Sequence, residues 1–364
     1  MHSYLLAAVY LLLAFYALLI FLFYRGWGRN KPLKQYNSER FAEVSVIITC
    51  RNEAAHLPAL ISALQAQTDS DFELVWVNDH SEDCTLQLMN ESSSLFTKVT
   101  IIDSCERGKK QSQALGIRIA AGKLIITTDA DCIPASGWVQ SIKEFYTGYQ
   151  PDLIIGPVKL FSGESLFQHL QQLEFATLSA SAMGGAGSNC PFMCNGANLA
   201  FTKEAWLQSK HELRLDLSSG DDVFLLHSIK RRNGRIEMLK SVEAMVLTTG
   251  TKTLKSFFRQ RSRWLAKSYY YTDYQTITIS AVVGIINLTL AFGFVAAMLT
   301  GMGWIPLLLL YLGKTLADIL FLRRVLPFFG IGFQPGLVLC LSFAYPFYVL
   351  LTTSISLFRK ISSW

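Results

Sequence analysis

The sequence predicts an α/β protein in which a parallel-sheet domain stands between stretches long enough to cross a membrane. Three observations carry this reading. Between about residues 40 and 270, short apolar runs alternate with segments of helical period. Two of those runs stop at acidic residues. Leu74-Val75-Trp76-Val77 ends in Asn78-Asp79, and Leu124-Ile125-Ile126 ends in Thr127-Thr128-Asp129-Ala130-Asp131. A continuous apolar run reads as a strand buried on both faces, and ligands of open α/β sheets gather at the carboxyl ends of such strands. Finally, Tyr4–Tyr24, Tyr274–Gly313 and Val325–Phe358 contain no charged residue.

Taken in order, Val44–Thr49 is predicted as the first strand, with Arg51-Asn52-Glu53 as the turn after it. Apolar residues at 57, 60, 61 and 64 keep helical spacing up to Gln67. Phe72–Val77 is the second strand, and Ser81-Glu82-Asp83 offers caps for a helix through Leu88. Val99–Ile102 is the third strand. Gly108-Lys109-Lys110 precedes a helix from about Ser112 to Ala121, which Gly122 ends. Leu124–Thr128 is the fourth strand and bears the acidic pair. Alternating strands and helices imply a parallel sheet with right-handed crossovers. Neither a G-x-G-x-x-G after the first strand nor a P-loop is present, which disfavours a dinucleotide or ATP mode.

Beyond Pro151 the alternation weakens. Leu166–Met183 is helix-like, and Gly184-Gly185-Ala186-Gly187 reads as a flexible break. Asn195-Gly196-Ala197-Asn198 precedes Leu199-Ala200-Phe201, and Gly220-Asp221-Asp222 opens a helix through Arg231.

Composition agrees with a membrane protein. Charged residues make up 16% of the 364-residue chain, against about 25% in soluble proteins. A hydrocarbon core about 30 Å thick needs about 20 apolar residues, and each uncharged stretch is that long. The N-terminal stretch lacks the basic n-region and A-x-A-like site of a signal peptide. Arg25, Arg29, Lys31 and Lys34 follow it, which by the positive-inside rule puts the N-terminus outside and the central domain in the cytoplasm. Ile277–Leu299 and Trp304–Leu322 read as a hairpin turning at Gly301-Met302-Gly303. The last stretch carries Gly330, Gly332, Pro335, Gly336 and Pro346 and reads as broken. As a span it would put Arg359 and Lys360 outside, whereas a re-entrant segment would return them. Lys314 and Asp318 fall inside a span four residues apart, so they are expected to pair or to face a polar path.

The net charge of +6 lies largely beside the membrane and suits an anionic lipid surface. No compact basic helix or aromatic platform argues for nucleic acid. The seven cysteines lack metal spacing and are expected to be reduced thiols. His80, His169, His211 and His227 likewise form no metal-ligand pattern.

The acidic pair carries the chemistry. Asp129 and Asp131 flank one residue, so in extended backbone both carboxylates point the same way. Two carboxylates held together repel unless a cation lies between them. Hard oxygen ligands suit Mg²⁺ or Mn²⁺, which also take phosphate oxygens from a substrate, so a metal-bound diphosphate is expected.

Val44–Thr49, Val77-Asn78-Asp79-His80-Ser81, Gly108-Lys109, Asp129-Ala130-Asp131, Asp221-Asp222 and Gln260-Arg261-Ser262-Arg263-Trp264 occur in one order that resembles the family 2 glycosyltransferases. The last element is similar to the Q-x-x-R-W motif of the membrane-bound branch, which includes cellulose, chitin and hyaluronan synthases and ceramide glucosyltransferase. The resemblance covers about residues 42–270. It implies a GT-A fold, a nucleotide-diphosphate sugar donor, expected to be UDP-linked, and inversion at the anomeric carbon.

The resemblance also implies roles. Thr49 and Asp79 would sit against the base and ribose, and Lys109 near the nucleotide. Asp129 would contact ribose or diphosphate, and Asp131 would bind the metal. Asp222 would be the general base. Gln260 and Arg263 would hold the leaving diphosphate, and Trp264, with Asp221, would border the acceptor. Asn78-Asp79 stands where the family has Asp-Asp, and Gly220-Asp221-Asp222 where the branch often has Thr-Glu-Asp. Each role has a plainer rival. Asp221-Asp222 could complement a helix dipole, and Arg261 and Arg263 beside Trp264 could anchor the segment at the membrane interface. Arg263→Lys is expected to be damaging and Arg261→Lys mild.

The expected organisation is an N-terminal span (1–24), a basic linker (25–41), a cytoplasmic GT-A domain (42–273) and a C-terminal membrane region of two or three spans (274–364). The expected activity is metal-dependent hexosyl transfer to a lipid-linked or glycan acceptor at the cytoplasmic face of a bacterial-type inner membrane. A processive polysaccharide synthase and a non-catalytic scaffold subunit of the same fold are the alternatives.

Overall fold

The computed structural model describes residues 2–29, 31–34, 36, 41–214, 217 and 220–358. Its elements begin with helix α1 (His2–Gly28), strand β1 (Val44–Cys50), α2 (Leu57–Gln65), β2 (Glu73–Asn78), α3 (Thr85–Ser92) and β3 (Val99–Asp103). Next come α4 (Lys109–Ile119), β4 (Leu124–Asp129), β5 (Cys132–Pro134), α5 (Trp138–Tyr149), β6 (Leu153–Ile155), β7 (Val158–Leu160) and α6 (Leu166–Gly187). Then follow β8 (Leu199–Thr202), α7 (Lys203–Ser209), α8 (Asp221–Arg231), β9 (Ile236–Met238) and β10 (Val246–Thr248). The chain closes with α9 (Leu254–Ala266), α10 (Tyr274–Thr300), α11 (Trp304–Val325) and α12 (Pro335–Phe358).

These elements fall into two compact units, and their boundaries do not follow the linear division at 42–273 and 274–364. One unit comprises Asn30–Phe161 and Met193–Gly250. The other comprises Met1–Arg29, Ser162–Phe192 and Thr251–Ile361. Thus α6 and α9 group with the long apolar helices.

The first unit is built on a seven-stranded sheet in the order β3-β2-β1-β4-β8-β6-β9. The four predicted strands are all present and parallel, β1 lying between β2 and β4. The apolar runs of β1, β2 and β4 are buried on both faces, with Val46, Ile48, Leu74, Val75, Trp76 and Ile126 fully buried, whereas the edge strand β3 is only half-buried. Strand β8 runs antiparallel to β4 and β6. Because the chain leaves β1 for β2 on one side and returns to β4 on the other, the order reverses at β1/β4, where α/β sheets bind ligands. Register places Thr49 opposite Asp129 there. A small second sheet, β5-β10-β7, pairs Cys132 with Thr248.

Several local expectations shift. Helix α4 begins at Lys109, three residues before Ser112, so that Lys109 is its first residue. Gly122 is not a left-handed cap: a Cβ there would lie 2.6 Å from the Ser45 backbone nitrogen, so its role is close approach. Helix α3 starts only at Thr85. Asp83 still accepts from the Thr85 N–H at 3.0 Å, and Ser81 and Asp83 also serve the turn after β1, accepting from the backbone of Asn52 (3.1 Å) and Ala54 (3.2 Å).

In the second unit, four helical segments among the described residues are long and apolar enough to cross a membrane: Leu6–Gly28, Tyr274–Thr300, Trp304–Phe329 and Pro335–Leu357. The last stretch is broken at Gly330, in left-handed backbone, and continues unbroken through Pro346 as α12. Pro335 suits a helix start, and interior proline is tolerated in membrane helices. Arg359 and Lys360, on which the re-entrant alternative turned, lie outside the described residues. Lys314 and Asp318 do pair, at 2.7 Å, and the Tyr16 hydroxyl of α1 donates to Asp318 at 2.5 Å. Residues 184–187 are not a break, because α6 runs through them. A Cβ on Gly184 would meet the Phe23 carbonyl oxygen at 2.6 Å, so Gly184, with Gly26 opposite it, lets α1 and α6 touch backbone to backbone.

Candidate active site

The strand ends of the first unit collect the predicted polar residues. Asp129 closes β4, a turn through Ala130 and Asp131 follows, and Cys132 opens β5. The two carboxylates therefore converge through a turn, not through the extended backbone that the spacing suggested. One ligand atom from each of Asp129, Asp131 and Cys132 lies within 4.8 Å of the others. Cys132 is a poor partner for a hard cation, since burial, with the two carboxylates beside it, pushes its thiol well up and keeps it protonated.

Asp131 is half-buried. Burial, then the Asp129 charge, raises its pKa, against Lys109 and a bond from the Thr249 hydroxyl at 3.3 Å. Lys109 donates to Asp129 Oδ1. Burial alone would lower the lysine's pKa, but Asp129, Asp221 and Asp131 outweigh it and raise it. One ammonium thus sits among three carboxylates. Such an oxygen pair fits Mg²⁺ or Mn²⁺, which commonly take one or two protein carboxylates together with substrate phosphates.

Asp79 is buried, and its Oδ1 accepts from the Gly108 N–H at 3.0 Å. This bond ties the end of β2 to the start of α4 and hence to Lys109. Asn78, at the strand's end, donates to Asp103 at 2.7 Å. Thr49 is half-buried, and its hydroxyl oxygen is buried without a hydrogen-bond partner. Asp221 and Asp222 open α8 as expected, after Gly220 in left-handed backbone (φ 96°). Asp222 Oδ1 accepts from the Val223 N–H at 2.8 Å. Asp221, Asp222, Lys110 and Thr127 line one cavity of this unit.

Glu53 was not singled out by sequence. Burial, then Asp131 and Asp129, raises its pKa despite a 2.7 Å bond to His56. Its signal was available, since Arg51-Asn52-Glu53 follows β1 directly, where the sheet binds ligands.

Gln260, Arg263 and Trp264 all lie on α9, in the other unit. Arg263 is exposed, whereas Arg261 is 4% exposed. Burial of Arg261 does not suit the alternative in which it anchors the segment at the membrane interface, nor a mild effect of Arg261→Lys. The guanidinium pairs with Glu174 at 2.5 Å and lies 4.1 Å from the Trp264 ring centroid.

Comparison with known proteins agrees with the sheet unit. Residues 45–204 match the family described as Glycosyl transferase family 2. Glycosyltransferase AglE of Haloferax volcanii is 29% identical over 119 residues, 32% of this chain and 39% of its own. The undecaprenyl-phosphate 4-deoxy-4-formamido-L-arabinose transferase of Aeromonas hydrophila is 33% identical over 93 residues, 24% of this chain and 28% of its own. The matches thus span well under half of these curated relatives. Among solved structures, the mannosyltransferase PcManGT of Pyrobaculum calidifontis, in complex with GDP-Man and Mn²⁺, superposes with a TM-score of 0.52. It is 17% identical over 98% of this chain and 99% of its own. The fold is mixed α/β and GT-A-like, with four long apolar helices among the described residues.

Proposed function

We propose that this chain, with its family 2 glycosyltransferase domain, is a membrane-bound enzyme that moves one sugar from a nucleotide-diphosphate donor to a lipid-linked acceptor at the cytoplasmic face. The observation that carries the proposal is the gathering of Thr49, Asp79, Lys109, Asp129 and Asp131 at the reversal point of the sheet.

In this reading Thr49 and Asp79 line the nucleoside pocket, and Asp129 and Lys109 meet ribose and diphosphate. Asp131 is the carboxylate that would hold Mg²⁺ or Mn²⁺, whose charge stabilises the departing diphosphate. Asp222 takes the proton from the acceptor hydroxyl as it attacks the anomeric carbon in line, which inverts the configuration. Gln260 and Arg263 are assigned to the leaving group on the motif alone. A guanidinium suits that task because its planar fork binds phosphate oxygens in pairs. Asp221 and Trp264 are assigned to the acceptor.

The lipid acceptor is favoured by the composition of the helical unit. Its spans are mainly Leu, Ile, Val, Phe and Ala, and the charged pair away from their ends, Lys314 and Asp318, is already satisfied internally. Little polar lining remains for a sugar chain. The transferase from Aeromonas acts, by its name, with undecaprenyl phosphate, and PcManGT binds GDP-Man and Mn²⁺. Both fit the class of substrates proposed here. The Q-x-x-R-W motif favours the second reading, a processive synthase. Screening nucleotide sugars for nucleotide release by purified protein, with and without a polyprenyl phosphate, tests the proposal. Release that depends on both metal and lipid supports it, and the absence of release from every donor refutes it.

A further inference from the structure

We propose that Arg261 is the positioning residue of α9: it fixes Gln260 and Trp264 and takes its own place from Glu174 of α6. The inference rests on the reading that α9 serves sugar transfer.

The geometry is that of a buried hub. Arg261 and Glu174 side chains are 3% and 5% exposed and pair at 2.5 Å. The guanidinium lies 4.1 Å from the Trp264 ring centroid and 4.8 Å from that of Phe257. Its second terminal nitrogen donates to Gln260 Oε1 at 3.0 Å. Trp264 follows Arg261 by three residues, so both lie on one helix face. An amide whose oxygen accepts from Arg261 can offer only its NH₂ to an anion, which is the polarity a diphosphate requires.

Burying this pair is hard to explain by stability alone. Removing two charges from water costs several kcal/mol per ion, and apolar replacements of such pairs are often neutral or stabilising. What apolar side chains cannot supply is the bond to Gln260 and the cation under Trp264. Lysine could keep the charge but not the fork that reaches Glu174 and Gln260 together. The same helix packs Phe257 against Tyr348 of α12, 5.5 Å between centroids, so the hub also keys α9 to a membrane helix of its unit.

The test uses full-length protein in detergent or liposomes. Arg261→Met leaves Glu174 buried and unpaired, so it should lower Tm. Arg261→Met with Glu174→Leu should restore Tm. A purely structural role predicts that transfer returns with it. The positioning role predicts that transfer stays about tenfold to a hundredfold down, as misplacement of a binding group does, with a raised acceptor KM. Trp264 emission, isolated by subtracting the spectrum of Trp264→Phe, should shift to the red and become more open to acrylamide. Arg261→Lys should show both changes with Tm near wild type, which covers the case in which the double variant does not fold. Wild-type transfer and Trp264 emission in the double variant, or in Arg261→Lys, would overturn the proposal. The emission is read without substrate, so it still tests positioning if wild-type protein transfers no sugar, an outcome that would refute only the function proposed above.

Discussion

The Lys109 ammonium donates to the Asp129 carboxylate, joining the first residue of α4 to the last of β4. Asp131 and Asp221 add to the negative field around it. A diphosphate bound as proposed would give Lys109 a second anion. Lys109→Gln should therefore weaken nucleotide diphosphate binding about tenfold, since a hydrogen bond to a charged group is worth about 1.5–3 kcal/mol. The fold should persist, because the lysine is half-exposed. Calorimetric titration with nucleoside diphosphates checks this, and unchanged affinity would remove Lys109 from the binding site.

Asp131 should be needed for metal. Asp131→Asn keeps the shape of the side chain and removes its charge, so transfer should fall severely while circular dichroism and Tm stay close to wild type. Excess EDTA should do the same to the unaltered protein. Near-wild-type turnover in either case contradicts the metal role.

Acidification offers an independent check on the same residue. Burial and Asp129 raise the pKa of Asp131, so protons compete with metal at a higher pH than at a free aspartate, which titrates at about 3.9. Mn²⁺ affinity should fall as pH drops through that raised value, and binding should release protons. In the metal-free protein the sign is opposite. The stability contributed by protonated Asp131 is complete below the unfolded pKa and is lost as pH rises through the folded one. Manganese titrations across pH 4–7, followed by electron paramagnetic resonance, separate the two. A flat profile would show that Asp131 does not hold the ion.

Asp222→Asn should abolish transfer and spare donor binding. The amide is nearly the same size but takes no proton, and general-base catalysis is worth about 10²–10⁴-fold. The loss belongs in kcat. A raised donor KM with unchanged kcat would make Asp222 a binding residue.

Much of the sheet was legible in the sequence because doubly buried strands need unbroken apolar runs, as Leu74–Val77 and Leu124–Ile126 show. The ends of those runs disclosed Asp79, Asp129 and Asp131. What escaped depended on partners distant along the chain. The run 184–187 looked flexible because glycine weakens an isolated helix, yet Gly184 is in α6 because Phe23 of α1 leaves no room for a side chain. Arg261 looked like a surface anchor because its neighbours are basic, and only the fold brings Glu174, 87 residues earlier, against it. Glu53 was passed over although its place just after β1 was a signal, because its tie to Asp129 and Asp131 exists only once β4 lies beside β1.

Single sugar transfer to a lipid can be read from the product itself, by reconstituting the purified protein with a polyprenyl phosphate, Mn²⁺ and labelled nucleotide sugars and sizing what is labelled. The expected product is lipid-soluble and carries one sugar of inverted anomeric configuration. A long polymer made without any partner protein, or a product that retains the donor's configuration, would overturn single inverting transfer.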